Sequence, residues 1–176
     1  VYRAAQRDTG DVKAIKVLRR RFSENKGQRD QFLREGKMGI ALQHPNIVPI
    51  HKVASEGNYH YLIMNFVEGR NLREFLKVRK KLSPVEALRL TADLLDGLSY
   101  AFELGVTHRD LKLSNALVSS RGLAQLVDFG LAVAVGNISD DTLDKIPNPR
   151  TIDYAGLERA TGVRKDDVRS DIYFLG

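Results

Sequence analysis

The chain has 176 residues, 43% of them hydrophobic and 28% charged, a balance that suits one folded domain and excludes a disordered or fibrous chain. It contains no Cys, which excludes disulfides and thiolate zinc sites, and no apolar run reaches the roughly 18 residues of a membrane span, so the segment reads as cytoplasmic with an anchor outside it left open. The net charge of +6 is gathered in the first half, where residues 1–90 hold 19 Lys and Arg against 9 Asp and Glu. The basic runs at Arg19, Arg20 and Arg21 and at Lys77, Arg79, Lys80 and Lys81 flank a strand and a helix end, where solvated cations are ordinary, and nucleic acid is not expected as a partner.

In chain order, "DVKAIKVL" alternates and is rich in β-branched residues, which predicts a strand. "RDQFLREGKMGIALQ" spaces Phe32, Leu33, Ile40 and Leu42 as a helix does, although Gly36 and Gly39 weaken it. "NIVPIHKV" and "YHYLIMNFV" predict two further strands joined by a turn at Ser55–Asn58. Ser83, Pro84 and Glu86 agree on a helix start: a capping hydroxyl, a proline at the first position and the acid of a capping box. That helix is expected to run to about Leu104, with Leu88, Leu95, Leu98 and Phe102 on its apolar stripe and Gly105 ending it. "NALVSS" and "LAQLVDF", split by Arg121 and Gly122, predict a hairpin. From Leu131 to Tyr154 no period is sustained and Pro147 and Pro149 argue for a loop; one this long in a compact domain is usually functional or disordered. The order is a small sheet-rich lobe followed by a helical one.

Chemistry gathers at "HRDLKLSN", His108 to Asn115, which sets Asp110, Lys112 and Asn115 within six residues directly after the helix. "DFG", Asp128-Phe129-Gly130, ends the hairpin that follows, 13 residues after Asn115. Upstream, "KAIK" places Lys16 on a strand, and Glu35 lies on the first helical segment. Singly these have ordinary readings: Lys16 a strand-edge lysine, Glu35 a solvated helix residue, Asp128 a turn residue, His108 a loop histidine, Met64 and Leu117 plain core. Those readings must all hold together at these spacings. In their order and spacing the motifs resemble the eukaryotic-type Ser/Thr protein kinase catalytic domain, over essentially the whole chain.

The resemblance implies an α+β, two-lobed kinase-like fold: residues 1–64 a sheet lobe, 65–69 a hinge and 70–176 part of a helical lobe. It implies ATP and Mg2+ as cofactors and a protein Ser or Thr hydroxyl as acceptor. Phosphoryl transfer needs alignment and charge stabilisation more than covalent chemistry. Asp110 would orient the hydroxyl and take its proton, and Lys112 would neutralise the transferred group and points to the Ser/Thr branch. Asn115 and Asp128 would offer oxygens to the metal. Lys16 would reach the α- and β-phosphates, held by an ion pair with Glu35. Asn65 and Val67 would meet the adenine edge through their backbone, Met64 would guard the pocket behind, and Val1, Ala14 and Leu117 would sandwich the ring. Phe129, Gly130, Glu158 and Asp171 would support the site. Arg109 before the catalytic acid implies control by phosphorylation of the following loop, with Thr142 preferred over Ser139 and Thr151 kept as a structural threonine facing the substrate.

The sequence also departs from that pattern. The glycine-rich loop is missing ahead of Val1 and the chain stops at Gly176 inside a helix, so a domain cut at both ends is expected, which puts the activity of the segment alone in question. Gly156-Leu157-Glu158 stands where Ala-Pro-Glu is usual, Leu113 where Pro is common, and Gly39 where a larger apolar residue usually packs, which would loosen the helix that carries Glu35. The alternative to a kinase, with or without a homodimer for activation, is a pseudokinase scaffold that binds ATP and partners without transfer. A small-molecule phosphotransferase of the same fold ranks after both.

Overall fold

The computed structural model describes residues 1–129 together with residues 171, 172 and 175; Gly130, Ser139, Thr142, Thr151, Glu158 and the loop from Leu131 to Tyr154 lie outside the described residues. Alternating β-branched and apolar residues build the first sheet, four antiparallel strands in the order β1-β2-β4-β3. They are β1 (Tyr2–Ala5), β2 (Val12–Val17), β3 (Ile50–Glu56) and β4 (Tyr59–Asn65). In β4 the residues His60, Leu62 and Met64 are buried and their neighbours are not, the period of two that a one-sided sheet demands. Register pairs Ala14 with Met64 and Lys16 with Leu62, so Ala14, Lys16 and Met64 sit on the two neighbouring central strands.

"NIVPIHKV" becomes strand only from Ile50. Asn46 to Val48 dock instead on the second sheet: Ile47 bridges Leu126, the Val48 N–H donates to the Leu126 carbonyl at 2.9 Å, and the Leu126 N–H donates to the Asn46 carbonyl at 2.8 Å. Pro49 has no N–H to offer a ladder, which suits the point where the chain changes sheets.

A short helix α1 (Arg20–Ser23) leads into α2 (Lys26–Ala41), which Asn25 caps by accepting the Gln28 N–H. The glycines of α2 that weaken it as a helix serve its contact with the sheet. A Cβ on Gly36 would lie 2.3 Å from Leu62 Cδ2 and 2.7 Å from Val53 Cγ2, and one on Gly39 would lie 2.5 Å from Ile50 Cδ1. Around this contact Ala14, Phe32, Val48, Leu62 and Met64 form the upper core.

The second sheet has three strands, β5 (Gly69–Asn71), β6 (Ala116–Ser119) and β7 (Ala124–Leu126), in the order β5-β6-β7. Gly122 takes φ +80° in the β6–β7 turn, a conformation glycine adopts without strain. Helices α3 (Leu72–Arg79) and α4 (Pro84–Glu103) pack with it around Leu72, Leu90, Leu94, Leu98, Leu111 and Leu126. The Ser83–Glu86 capping box is formed at the start of α4, with Pro84 in its first turn.

The buried face of α4 differs from the expected stripe. Leu90, Leu94, Gly97, Leu98 and Ala101 face inward, while Leu88, Leu95 and Phe102 are exposed. Gly97 explains the choice: its missing side chain admits the Asn46 backbone, whose carbonyl would lie 3.0 Å from a Cβ. The fold is α+β, a small antiparallel sheet with one long helix, followed by a largely helical part.

Candidate active site

The loop after α4 is built around a buried imidazole and a buried carboxylate. His108 is fully buried; its Nδ1 accepts the Asp110 N–H at 3.3 Å and its Nε2–H donates to the Val127 carbonyl at 3.0 Å. These partners fix the neutral tautomer, and burial holds the imidazole below its ordinary pKa. Phe129 packs on the ring, with centroids 4.7 Å apart.

Asp171, itself buried, accepts the backbone N–H groups of His108 at 2.7 Å and Arg109 at 2.8 Å. The turn that aims both N–H groups at one carboxylate puts Arg109 at φ +62°, and Asp128 stands at φ +59°. A left-handed backbone is uncommon for non-glycine residues and persists where surrounding bonds hold it.

Three polar side chains of the loop converge. Lys112 Nζ lies 2.5 Å from Asp110 Oδ2, and Asn115 Nδ2 donates to the Asp110 carbonyl at 2.9 Å and to Asp110 Oδ2 at 3.0 Å. The 3-10 turn Leu113–Asn115 brings Asn115 back towards Asp110.

A second cluster lies on the sheet side. Lys16 Nζ pairs with Asp128 Oδ1 at 2.7 Å. The expected ion pair between Lys16 and Glu35 is not formed. Glu35 Oε1 instead accepts from Gln31 Nε2 at 2.9 Å. Burial raises the Glu35 pKa to about 7, only partly offset by the Gln31 hydrogen bond and the Lys16 charge. Lys16 thus pairs with Asp128, while Glu35 keeps to its own helix through Gln31.

Residues 1–176 match the family described as protein kinase domain. The chain belongs to that family. Relatives at 31–34% identity include "Probable serine/threonine-protein kinase SCO3848" of Streptomyces coelicolor, 31% identical over all of this chain and 27% of its own length. "Probable serine/threonine-protein kinase PknB" of Lactococcus lactis is 34% identical over all of this chain and 28% of its own. "Serine/threonine-protein kinase PrkC" of Bacillus subtilis is 31% identical over 93% of this chain and 25% of its own. The kinase domain chain thus spans about a quarter of the length of the curated relatives it matches.

Within the kinase domain, Ala14, Met64, Val67 and Leu117 share one apolar cluster, whereas Val1 stands apart, 80% exposed ahead of β1. Asn65 gives its N–H to the Pro49 carbonyl at 3.0 Å, and its Oδ1 lies 2.7 Å from His51 Nε2. Behind Met64 a cleft between α2 and the sheet is lined by Gly36, Gly39, Ile50 and Phe129, with Lys16, Glu35 and Asp128 also on its wall.

The donor chemistry fits a hard cation. Asp128 already holds one positive group, the Lys16 ammonium. Asn115 commits its amide nitrogen to Asp110, so Oδ1 is the atom left to ligate. A carboxylate and an amide oxygen suit Mg2+, which keeps waters and shares substrate phosphates. Among the described residues no helix is long and apolar enough to cross a membrane. Sequence reasoning passed over Gln31, although its four-residue spacing to Glu35 on one helix face was a signal, and it gave no role to His108, whose burial the sequence does not display.

Proposed function

We propose that the protein carrying this domain is a Ser/Thr protein kinase that moves the γ-phosphate of ATP to a Ser or Thr hydroxyl of a protein. The observation that carries this reading is the Asp110 carboxylate held by Lys112 and Asn115, with Asp128 and Lys16 as a neighbouring ion pair. The printed names of the relatives, serine/threonine-protein kinases, support the acceptor class.

In this reading Asp110 orients the hydroxyl and accepts its proton, while Lys112 balances charge beside it. Lys16 would serve the phosphates, with Glu35 as its ion-pair partner, and Asp128 would be one of the residues to hold the metal. Asn115 and Asp128 hold the cation. Mg·ATP, when bound, supplies the phosphoryl group and the neutralising charge. Residues 65–69 act as the hinge between the sheet lobe, 1–64, and the helical part, 70–176. Asn65 and Val67 face adenine by their backbone, Ala14, Leu117 and Val1 cover its faces, and Met64 closes the rear. Arg109 answers a phosphate on Thr142 or Ser139, Thr151 faces the substrate, and Phe129, Gly130, Glu158 and Asp171 brace the site.

The experiment is phosphate transfer from labelled ATP with magnesium, by the full-length protein, to a generic basic protein, followed by phosphoamino-acid analysis. Label on Ser and Thr, lost with Lys16→Met, supports the reading. Tight Mg·ATP binding without any transfer would replace it with the scaffold.

A further inference from the structure

Gln31 lies one helical turn before Glu35 on α2 and donates its amide N–H to Oε1 at 2.9 Å. Side chains four apart meet on a helix surface, so the contact belongs to α2 and needs no partner from the sheet. The Lys16 ammonium, meanwhile, has a choice of two carboxylates and is paired with Asp128. The charges acting on Glu35 are those of Lys16, Asp128 and Arg34. Among the described residues Gln31 is the side chain that donates a hydrogen bond to it.

We propose that Gln31 is a positioning residue that holds Glu35 away from Lys16 and so opposes the rearrangement by which the site takes up nucleotide. The inference rests on the kinase reading above. A cation brought to Asp128 repels the Lys16 ammonium paired with its Oδ1, and Glu35 is the other carboxylate on the wall of the same cleft. As long as Gln31 satisfies Glu35, the carboxylate has a competing partner. Removing the amide leaves a partly buried carboxyl with no hydrogen-bond donor from its own helix turn and with Lys16 the larger of the two cationic influences on it, ahead of Arg34.

The test is equilibrium binding of Mg·ATP to the full-length protein as wild type, Gln31→Leu, Gln31→Met, Glu35→Gln and the Gln31→Leu, Glu35→Gln double variant. The two Gln31 variants keep helix propensity and length, so agreement between them separates the hydrogen bond from a packing fault. Gln31→Leu is expected to tighten Mg·ATP by roughly three- to tenfold, the range of one ordinary intramolecular hydrogen bond. KM for ATP should fall in parallel while kcat stays within about twofold. In the Glu35→Gln background the Gln31 substitution should change binding by less than about twofold, since its target is gone.

Unchanged or weaker binding in a folded Gln31→Leu protein would overturn the proposal, because Gln31 would then be neutral or a brace that helps Glu35 towards Lys16. An equal effect in both backgrounds would overturn it as well. A wild type that binds no Mg·ATP would overturn the kinase reading and this inference with it; a wild type that binds, with Gln31 variants unchanged, overturns this inference alone.

Discussion

At Glu35 a single carboxyl sets two properties against each other. Its folded pKa of about 7 lies above the ordinary 4.5 because burial disfavours the charge. Between those values the folded state binds a proton that the unfolded state releases, so this group's contribution to stability falls as pH rises through that window. Lys16 and Arg34 ease the charged form and Asp128 opposes it. Glu35→Gln should therefore stabilise the fold at pH 8 by on the order of 1–3 kcal/mol and have little effect near pH 4. Thermal unfolding at the two pH values checks this, and an equal shift at both would contradict it. The same variant should lower phosphate transfer, since Lys16 loses its second carboxylate. Asp171 offers the opposite case, a carboxylate that two backbone N–H groups organise. In Asp171→Asn one N–H would meet an amide NH2, a loss of roughly 2–3 kcal/mol of stability with transfer reduced well beyond the loss of folded protein. Denaturant unfolding alongside single-turnover rates measures both. Motif spacing singles out Lys16, Asp110, Asn115 and Asp128 in the sequence, and the fold brings Lys16 to Asp128 and Asn115 to Asp110. The choice Lys16 makes between Glu35 and Asp128 was not legible, because it depends on burial that appears only when α2 is laid on the sheet.

At the scale of elements, the two glycines of α2 call for opposite outcomes. By helix propensity either Gly→Ala change gains up to about 1 kcal/mol. Gly36→Ala would drive a methyl into both Leu62 and Val53, packed core side chains, and should destabilise by about 1–3 kcal/mol. Gly39→Ala meets only the tip of Ile50, which lies with it on the wall of the cleft behind Met64 and can turn. That variant should be neutral to about 1 kcal/mol more stable. Chemical denaturation of the two proteins compares them directly; equal losses would mean that helix and sheet cannot adjust at either point. The sequence raised Gly39 as a weak spot of the helix, and the contact shows why a glycine is accommodated there. The start of α4 was legible because its capping signals are local: Ser83, Pro84 and Glu86 each act within one turn. Its buried face was less so. Of the expected stripe Leu98 is buried, while Leu88, Leu95 and Phe102, which repeat every seven residues, are exposed, and the approach of the Asn46 backbone to Gly97 marks the face that packs.

For the whole molecule, the polar residues of the site come from four places in the chain: β2, α2, the loop after α4 and the end of the β6–β7 hairpin. Asn46 to Val48 join the two sheets through Leu126, just ahead of Asp128, so the position of Asp128 is tied to both sheets. The fold class could be read from the order of strand and helix patterns. The change of sheet at Pro49 could not, since a short apolar run carries no label for the sheet it will join. The central claim is that Asp110, held by Lys112 and Asn115, is the group that serves the acceptor hydroxyl. The measurement that tests it most directly is single-turnover transfer from Mg·ATP by the full-length protein, wild type against Asp110→Asn, with nucleotide affinity determined on the same samples. Transfer to Ser and Thr should fall by a factor of about 100 or more in Asp110→Asn while Mg·ATP affinity changes by less than a few-fold. Transfer retained in Asp110→Asn would contradict it.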